Sequence, residues 1–230
     1  MSEAPAPRAP LPPDVSVWDP LLRLTHWSFP LLIPALWWTA ENHRYALHKR
    51  IGLVLLGLLL FRFLWGFLGP ETARFSQFVK GPVAVLGYLR GKAGEGVAAI
   101  GHSPLGGWST LVLLGVMLVQ AGLGLFAGDP FDGTTGPLNA LVGFELADTI
   151  TELHETGFWV IVGLVALHLA AITFYAVRGD DLLSPMVGGA RPPMAGVTGI
   201  GPMPWGKGLI AVAVAAGVAL WVSYGAPPLT

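Results

Sequence analysis

Apolar residues gather in five runs, roughly 24–40, 47–69, 106–127, 154–177 and 208–226, separated by polar links rich in Gly and Pro. Each run is close to the ~20 residues a helix needs to span the hydrocarbon core of a bilayer. Two links announce the helix that follows: Asp19-Pro20 and Ser103-Pro104 each pair a capping side chain with a proline for the first turn. Residues 1–17, MSEAPAPRAPLPPDVSV, are Pro-rich without an apolar core, so they read as a disordered arm and not as a secretory signal. Residues 178–207, RGDDLLSPMVGGARPPMAGVTGIGPMPWGK, hold too much Gly and Pro to sustain a helix. The pattern predicts an all-α integral membrane protein: a four-helix body over 18–177, a linker over 178–207 and a fifth, C-terminal transmembrane helix over 208–226.

Composition agrees with that class. The chain is 53% hydrophobic and 12% charged, too little polar surface for an aqueous domain of 230 residues. Lys and Arg then orient it, because cytoplasmic links carry them in excess. Arg8 and Arg23 flank the first helix start; Arg74, Lys80, Arg90 and Lys92 fill the second link; Arg178, Arg191 and Lys207 lie in the last. The third link has neither Lys nor Arg but holds Asp129, Asp132, Glu145, Asp148 and Glu152. The N-terminus is therefore expected in the cytoplasm and the C-terminus in the periplasm, although Arg44, Lys49 and Arg50 then lie outside.

Histidine brings chemistry into this apolar frame. LHETGFWVIVGLVALH, residues 153–168, carries His154 and His168 in one helical run. Over that interval an α-helix rises about 21 Å and turns through about 1400°, leaving the two side chains about 40° apart on one face. His26, in RLTHW, starts the first helix and so stands level with His168; His48, in RYALHKRIG, starts the second and stands level with His154. Two pairs follow, His26 with His168 toward the cytoplasm and His48 with His154 toward the outer face. A lone membrane histidine serves equally well as a bond between helices, but two on one stripe at costly depth point to function.

The chain has no cysteine, which excludes thiolate-held iron–sulfur clusters and covalent c-type haem. Zinc or copper asks for three or four converging ligands, whereas each level here offers two, which also weakens a metal-ion transporter. Two opposed imidazoles suit a noncovalent haem b lying between helices. Arg62, in LLLFRFLWG, falls on the His48 stripe at the His26–His168 level, where a haem propionate would neutralise it; snorkelling to the headgroups is the alternative. Gly52 and Gly66, one turn beyond His48 and Arg62, would let a flat porphyrin approach. His102, in GHSPLGGW, reads as structural or interfacial, with quinone or proton handling as its other role, and His43 as a solvated loop residue. Trp27, Trp37, Trp38, Trp65, Trp108, Trp159, Trp205 and Trp221 read mainly as an interfacial belt.

The motifs VWDPLLRLTHW, LHKRIGLVLLGLLLFRFLWGFLGPETARFSQFVKGPVAVLGYLRG, GHSPLGGW and LHETGFWVIVGLVALH occur in that order over about 16–178. They resemble the bacterial cytochrome b561 family of di-haem membrane cytochromes, in the branch related to cytochrome b subunits of hydrogenases and dehydrogenases. The resemblance implies a four-helix bundle in the inner membrane, holding two haems b by histidines matched here by His26, His48, His154 and His168. With both irons six-coordinate, no position remains for oxygen or substrate, so the haems would pass electrons. The expected function is electron relay between the quinone pool and a periplasmic redox partner such as a c-type cytochrome, whose basic rim the acidic third link would steer. The alternative is a membrane anchor and electron-transfer subunit of a periplasmic dehydrogenase or hydrogenase. Quinone is a further candidate ligand, and oxidation of quinol by the chain itself would make it an enzyme. No phosphate loop or flavin fingerprint is present, and no nucleic-acid partner is implied.

Overall fold

The computed structural model describes residues 14–90, 101–128, 134–193 and 199–229. Arg8, Lys92, Asp129 and Asp132, used above to orient the chain, lie outside the described residues. In chain order the helices are α1 (Pro20–Glu41), α2 (Tyr45–Leu68), α3 (Phe75–Phe78), α4 (Pro82–Leu89), α5 (Pro104–Phe126), α6 (Phe144–Val177), α7 (Leu183–Gly188) and α8 (Trp205–Ser223). Short 3-10 turns stand at Glu71–Ala73 and Asn139–Leu141. Among the described residues α2, α5, α6 and α8 are long and apolar enough to cross a membrane. The 22-residue α1 matches them in length, but its Pro, Trp, His and Thr residues lower its hydropathy.

Helix starts follow local chemistry. Asp19 caps α1, its Oδ1 accepting from Leu22 N at 2.9 Å, with Pro20 in the first turn. Ser103 caps α5 in the same way, accepting from Gly106 N at 3.1 Å ahead of Pro104. The fourth run starts earlier than its apolar residues indicate: α6 begins at Phe144, not near 154, and takes in Glu145, Asp148 and Glu152. An apolar count sees only the part of a helix that lies in lipid, and Glu145 in the first turn suits the positive end of the helix dipole. The acidic third link is thus in part the first turns of a 34-residue helix.

Two expectations for the ends of the chain need correction. Within the supposed disordered arm, Val15–Ser16 form a strand, β1, that pairs antiparallel with β2 (Ala190–Arg191), and Val17 is fully buried. The Gly/Pro-rich linker also sustains one short helix, α7. There Asp181 Oδ1 accepts from Leu183 N and Ser184 N, both at 3.0 Å, and Gly189 ends the turn at φ 88.

The packing order places α2 at the centre, against α1, α5 and α8, while α6 lies chiefly on α5. The fifth helix is therefore part of the body. Gly208, Ala211, Ala215 and Ala219 give α8 a stripe of small residues, which lets its backbone approach α2 closely. A Cβ at Gly208 would come within 2.9 Å of Leu21 and 3.5 Å of Trp65, and one at Gly57 within 3.6 Å of Ala219. Between α1 and α2 on one side and α6 on the other, with α5 behind, helix-to-helix packing is sparse. That opening is where the histidines face one another.

Candidate functional site

His48 enters the opening from the first turn of α2 and His154 from the fourth run, α6, with ring centres 6.1 Å apart and planes crossed at 82°. At the other end His26, from α1, faces His168, from α6, with centres 6.4 Å apart and planes at 57°. Both expected pairs are thus brought together. All four rings are half-buried, as side chains lining an opening are.

The His48–His154 pair is oriented by the backbone. His48 Nδ1 lies 2.9 Å from Leu36 O and 3.3 Å from Thr39 Oγ1, and His154 Nδ1 lies 3.0 Å from Gln120 O. A carbonyl only accepts, so each Nδ1 carries the proton and each neutral ring presents the Nε2 lone pair. Gln120 grips the same turn a second time, its Nε2 donating to His154 O at 2.6 Å. Two glycines make this possible: a Cβ at Gly124 would lie 2.9 Å from the His154 ring, and one at Gly157 would overlap the Gln120 side chain. Gln120 was not among the expected site residues; its signal in the sequence is that of a lone amide inside the apolar run VLLGVMLVQAGLGLF.

The His26–His168 pair has other surroundings. His26 Nδ1 is buried without a hydrogen-bond partner among the described residues. Pro30 lacks the N–H that would reach the His26 carbonyl, and Pro34 does the same to Pro30. Nearby, Arg62 is 5% exposed, so its guanidinium does not snorkel to the membrane surface. Its Nη1 donates to Ala73 O at 3.4 Å, and its guanidinium carbon sits 5.2 Å from the centre of the Phe75 ring. Phe75 fills the space left by Gly66, where a Cβ would overlap the ring. That glycine admits a phenylalanine and not a porphyrin; a Cβ at Gly52 would be 3.9 Å from Leu36, in ordinary contact.

Asp19 ties this end together. Fully buried, it accepts from Leu22 N through Oδ1 and from Trp65 Nε1 through Oδ2 at 3.1 Å. Trp65 is itself fully buried, so it belongs to the core and not to an interfacial belt. His102 is drawn in as well. Its ring centre is 4.8 Å from Trp18 and 4.3 Å from Phe78. Burial first, then Arg62, His26 and His168, push its imidazole down to about 3, so the ring is neutral. His43 remains outside, in the α1–α2 turn at φ 55, with Nδ1 2.8 Å from the Tyr45 hydroxyl.

The donor set can be tested against a haem iron. Two metal–imidazole bonds of about 2 Å in line, with roughly 1 Å more to each ring centre, put the centres about 6 Å apart. Both pairs have that spacing. Among the described residues no three His, Cys, Asp or Glu side chains converge, so the donors come as opposed pairs and not as a tetrahedral cage. The family model described as prokaryotic cytochrome b561 matches residues 17–189. No curated protein and no solved structure matches the chain.

Proposed function

The chain belongs to the prokaryotic cytochrome b561 family, membrane b-type cytochromes of electron transfer, and from that premise we propose that it is a di-haem relay. His26 with His168, and His48 with His154, would hold the irons of two haems b. Electrons pass between a quinone on the cytoplasmic side and a redox partner in the periplasm, such as a c-type cytochrome. The observation that carries this reading is the two ring pairs, each about 6 Å apart at opposite ends of one opening.

Bound there, a haem supplies a one-electron Fe(III)/Fe(II) couple. The protein's part is to hold imidazoles on both faces, leaving no open coordination position, and to surround the sites with apolar side chains. Phe29, Leu55, Leu59, Leu114, Met117 and Ile161 form that dry core. Along α6 the two levels are about 21 Å apart by helix rise, a stacked path through most of the bilayer. Arg62, buried at the His26–His168 level, anchors a propionate.

Orientation rests on the basic residues. Arg23, Arg74, Lys80, Arg90, Arg178, Arg191 and Lys207 lie in the links and helix ends on the His26 side, which supports an inner-membrane protein with that side and the N-terminus in the cytoplasm and the C-terminus in the periplasm. The test is haem content of the purified chain. Two haems b per chain are expected, with His154→Ala and His168→Ala each losing a different one, told apart by the potential that disappears. A chain without haem, or the same haem lost from both variants, would sink the proposal.

A further inference from the structure

Arg62 and His102 share one unusual condition: each is enclosed and each has hydrogen-bonding capacity left over. Of the five guanidinium N–H groups of Arg62, one is engaged, and only by a long 3.4 Å bond to Ala73 O. Among the described residues Arg62 makes no ion pair. Asp19 is within electrostatic reach, but its two oxygens already accept from Leu22 N and Trp65 Nε1. A buried charge left in this state is costly unless a counter-ion meets it.

His102 presents the same puzzle without the charge. Its Nδ1 is buried and has no hydrogen-bond partner among the described residues. The ring cannot readily turn to find one, because Trp18 and Phe78 close on it and Ser103, the next residue, is fixed as the cap of α5. A Cβ at Gly107 would meet Phe78 O at 2.5 Å, so the start of α5 is pressed against the α3 segment that carries Phe78. The ring is deeply enclosed yet keeps some accessible surface, as a side chain facing an internal opening does. Phe75, whose ring centre is 5.2 Å from the Arg62 guanidinium carbon, packs on Phe78 at 5.7 Å, and Phe78 packs on His102 at 4.3 Å, which places His102 at the Arg62 end of the opening.

We propose that Arg62 and His102 form a two-donor seat for a carboxylate beside the His26–His168 gap, and that the occupant is a propionate of the haem held there. This rests on the di-haem reading and deepens it by adding His102. Arg62 supplies the charge and a forked donor; His102, the residue before the α5 cap, supplies one neutral N–H. The carboxylate in turn satisfies both groups. It neutralises a cation whose nearby carboxylate, Asp19, is already engaged by Leu22 N and Trp65 Nε1, and it accepts the N–H that His102 leaves unpaired among the described residues. His102 is thereby a positioning residue for the cofactor. The phenyl ring of Phe75 beneath Arg62 and the rings of Trp18 and Phe78 around His102 keep both donors aimed without competing for the anion.

The experiment uses the full chain with the His154→Ala substitution, which by the reading above carries the His26–His168 haem alone. Haem and haem dimethyl ester, which lacks the anionic carboxylates, compete for that site. A preference for haem of about tenfold or more is expected. His102→Phe, which keeps the packing, and Arg62→Met each reduce it, while His102→Gln, which keeps an N–H donor, retains part of it. In the two-haem chain His102→Phe lowers the midpoint potential of the His26–His168 haem and leaves the other unmoved. Unchanged discrimination and unchanged potential in His102→Phe, with the haem still bound, would overturn the seat and leave the relay standing. Failure of the His154→Ala chain to bind any haem that His168→Ala removes would overturn the relay itself.

Discussion

The two ends of the opening hold their histidines by different means. At the His48–His154 end, carbonyl oxygens of Leu36 and Gln120 fix both rings, and glycine at 124 makes room for one of them. At the His26–His168 end His26 Nδ1 has no hydrogen-bond partner among the described residues, and the surroundings are a buried cation, Arg62, a neutral histidine, His102, and a carboxylate already engaged by its own neighbours. One end is organised by hydrogen bonds to its histidines, the other by electrostatics around them. The levers differ in sign. A carbonyl accepting from Nδ1–H makes the imidazole a stronger donor and favours oxidised iron, whereas a nearby buried cation favours reduced iron. On the proposed relay, the His26–His168 haem is expected at the higher potential, and electrons would then run downhill toward that side.

The largest expected effect comes from crowding the hydrogen-bonded end. Gly124→Val places a branched side chain where the His154 ring lies, since a Cβ alone would sit 2.9 Å from it. One of the two haems should be lost and the His26–His168 haem kept, as read from haem per chain. Loss of neither would mean that the ring is free to move, and that the two ends do not differ in rigidity.

Next in size is the difference in potential. Potentiometric titration of the two-haem chain should give two steps, the higher one abolished by His168→Ala. Arg62→Met should lower that step and bring the two closer together, because it removes the cation while leaving the ligands. A higher step that vanishes with His154→Ala instead would reverse the slope. The smallest effect is expected from Gln120→Leu. The bond from its side chain to His154 O goes, but the bond from His154 Nδ1 to the residue 120 carbonyl can stay. Haem release at that end should quicken by about tenfold or less, with two haems still bound at saturation.

Much of this was readable from spacing. Helical period alone put His154 and His168 on one face, and the alternation of spans put His26 and His48 at the matching depths; the ring separations agree with both pairings. The caps at Asp19 and Ser103 were legible because a cap is a local event, decided within four residues. Gly66 was misread. The glycine itself is visible in the sequence, but what fills the space beside it is Phe75, which arrives from beyond the end of α2. The same holds for Trp65, whose place near a helix end suggested the membrane interface until Asp19 and α8 were seen to cover it.

The all-α membrane class and the pairing of the four histidines follow from the order of residues along the chain, because helix pitch turns sequence position into height and facing. Which carbonyl meets the Nδ1 of His48 and of His154, which side chain occupies a glycine's space, and that Phe75 and Phe78 link Arg62 to His102 all required the packed helices. Those contacts join residues far apart in sequence, 34 positions for His154 and Gln120, and no local pattern encodes the partner. The small-residue face of α8 lies between the two cases. Its stripe is visible in Gly208, Ala211, Ala215 and Ala219, but that it lies on α2 was settled by which neighbouring surface could accept a close backbone.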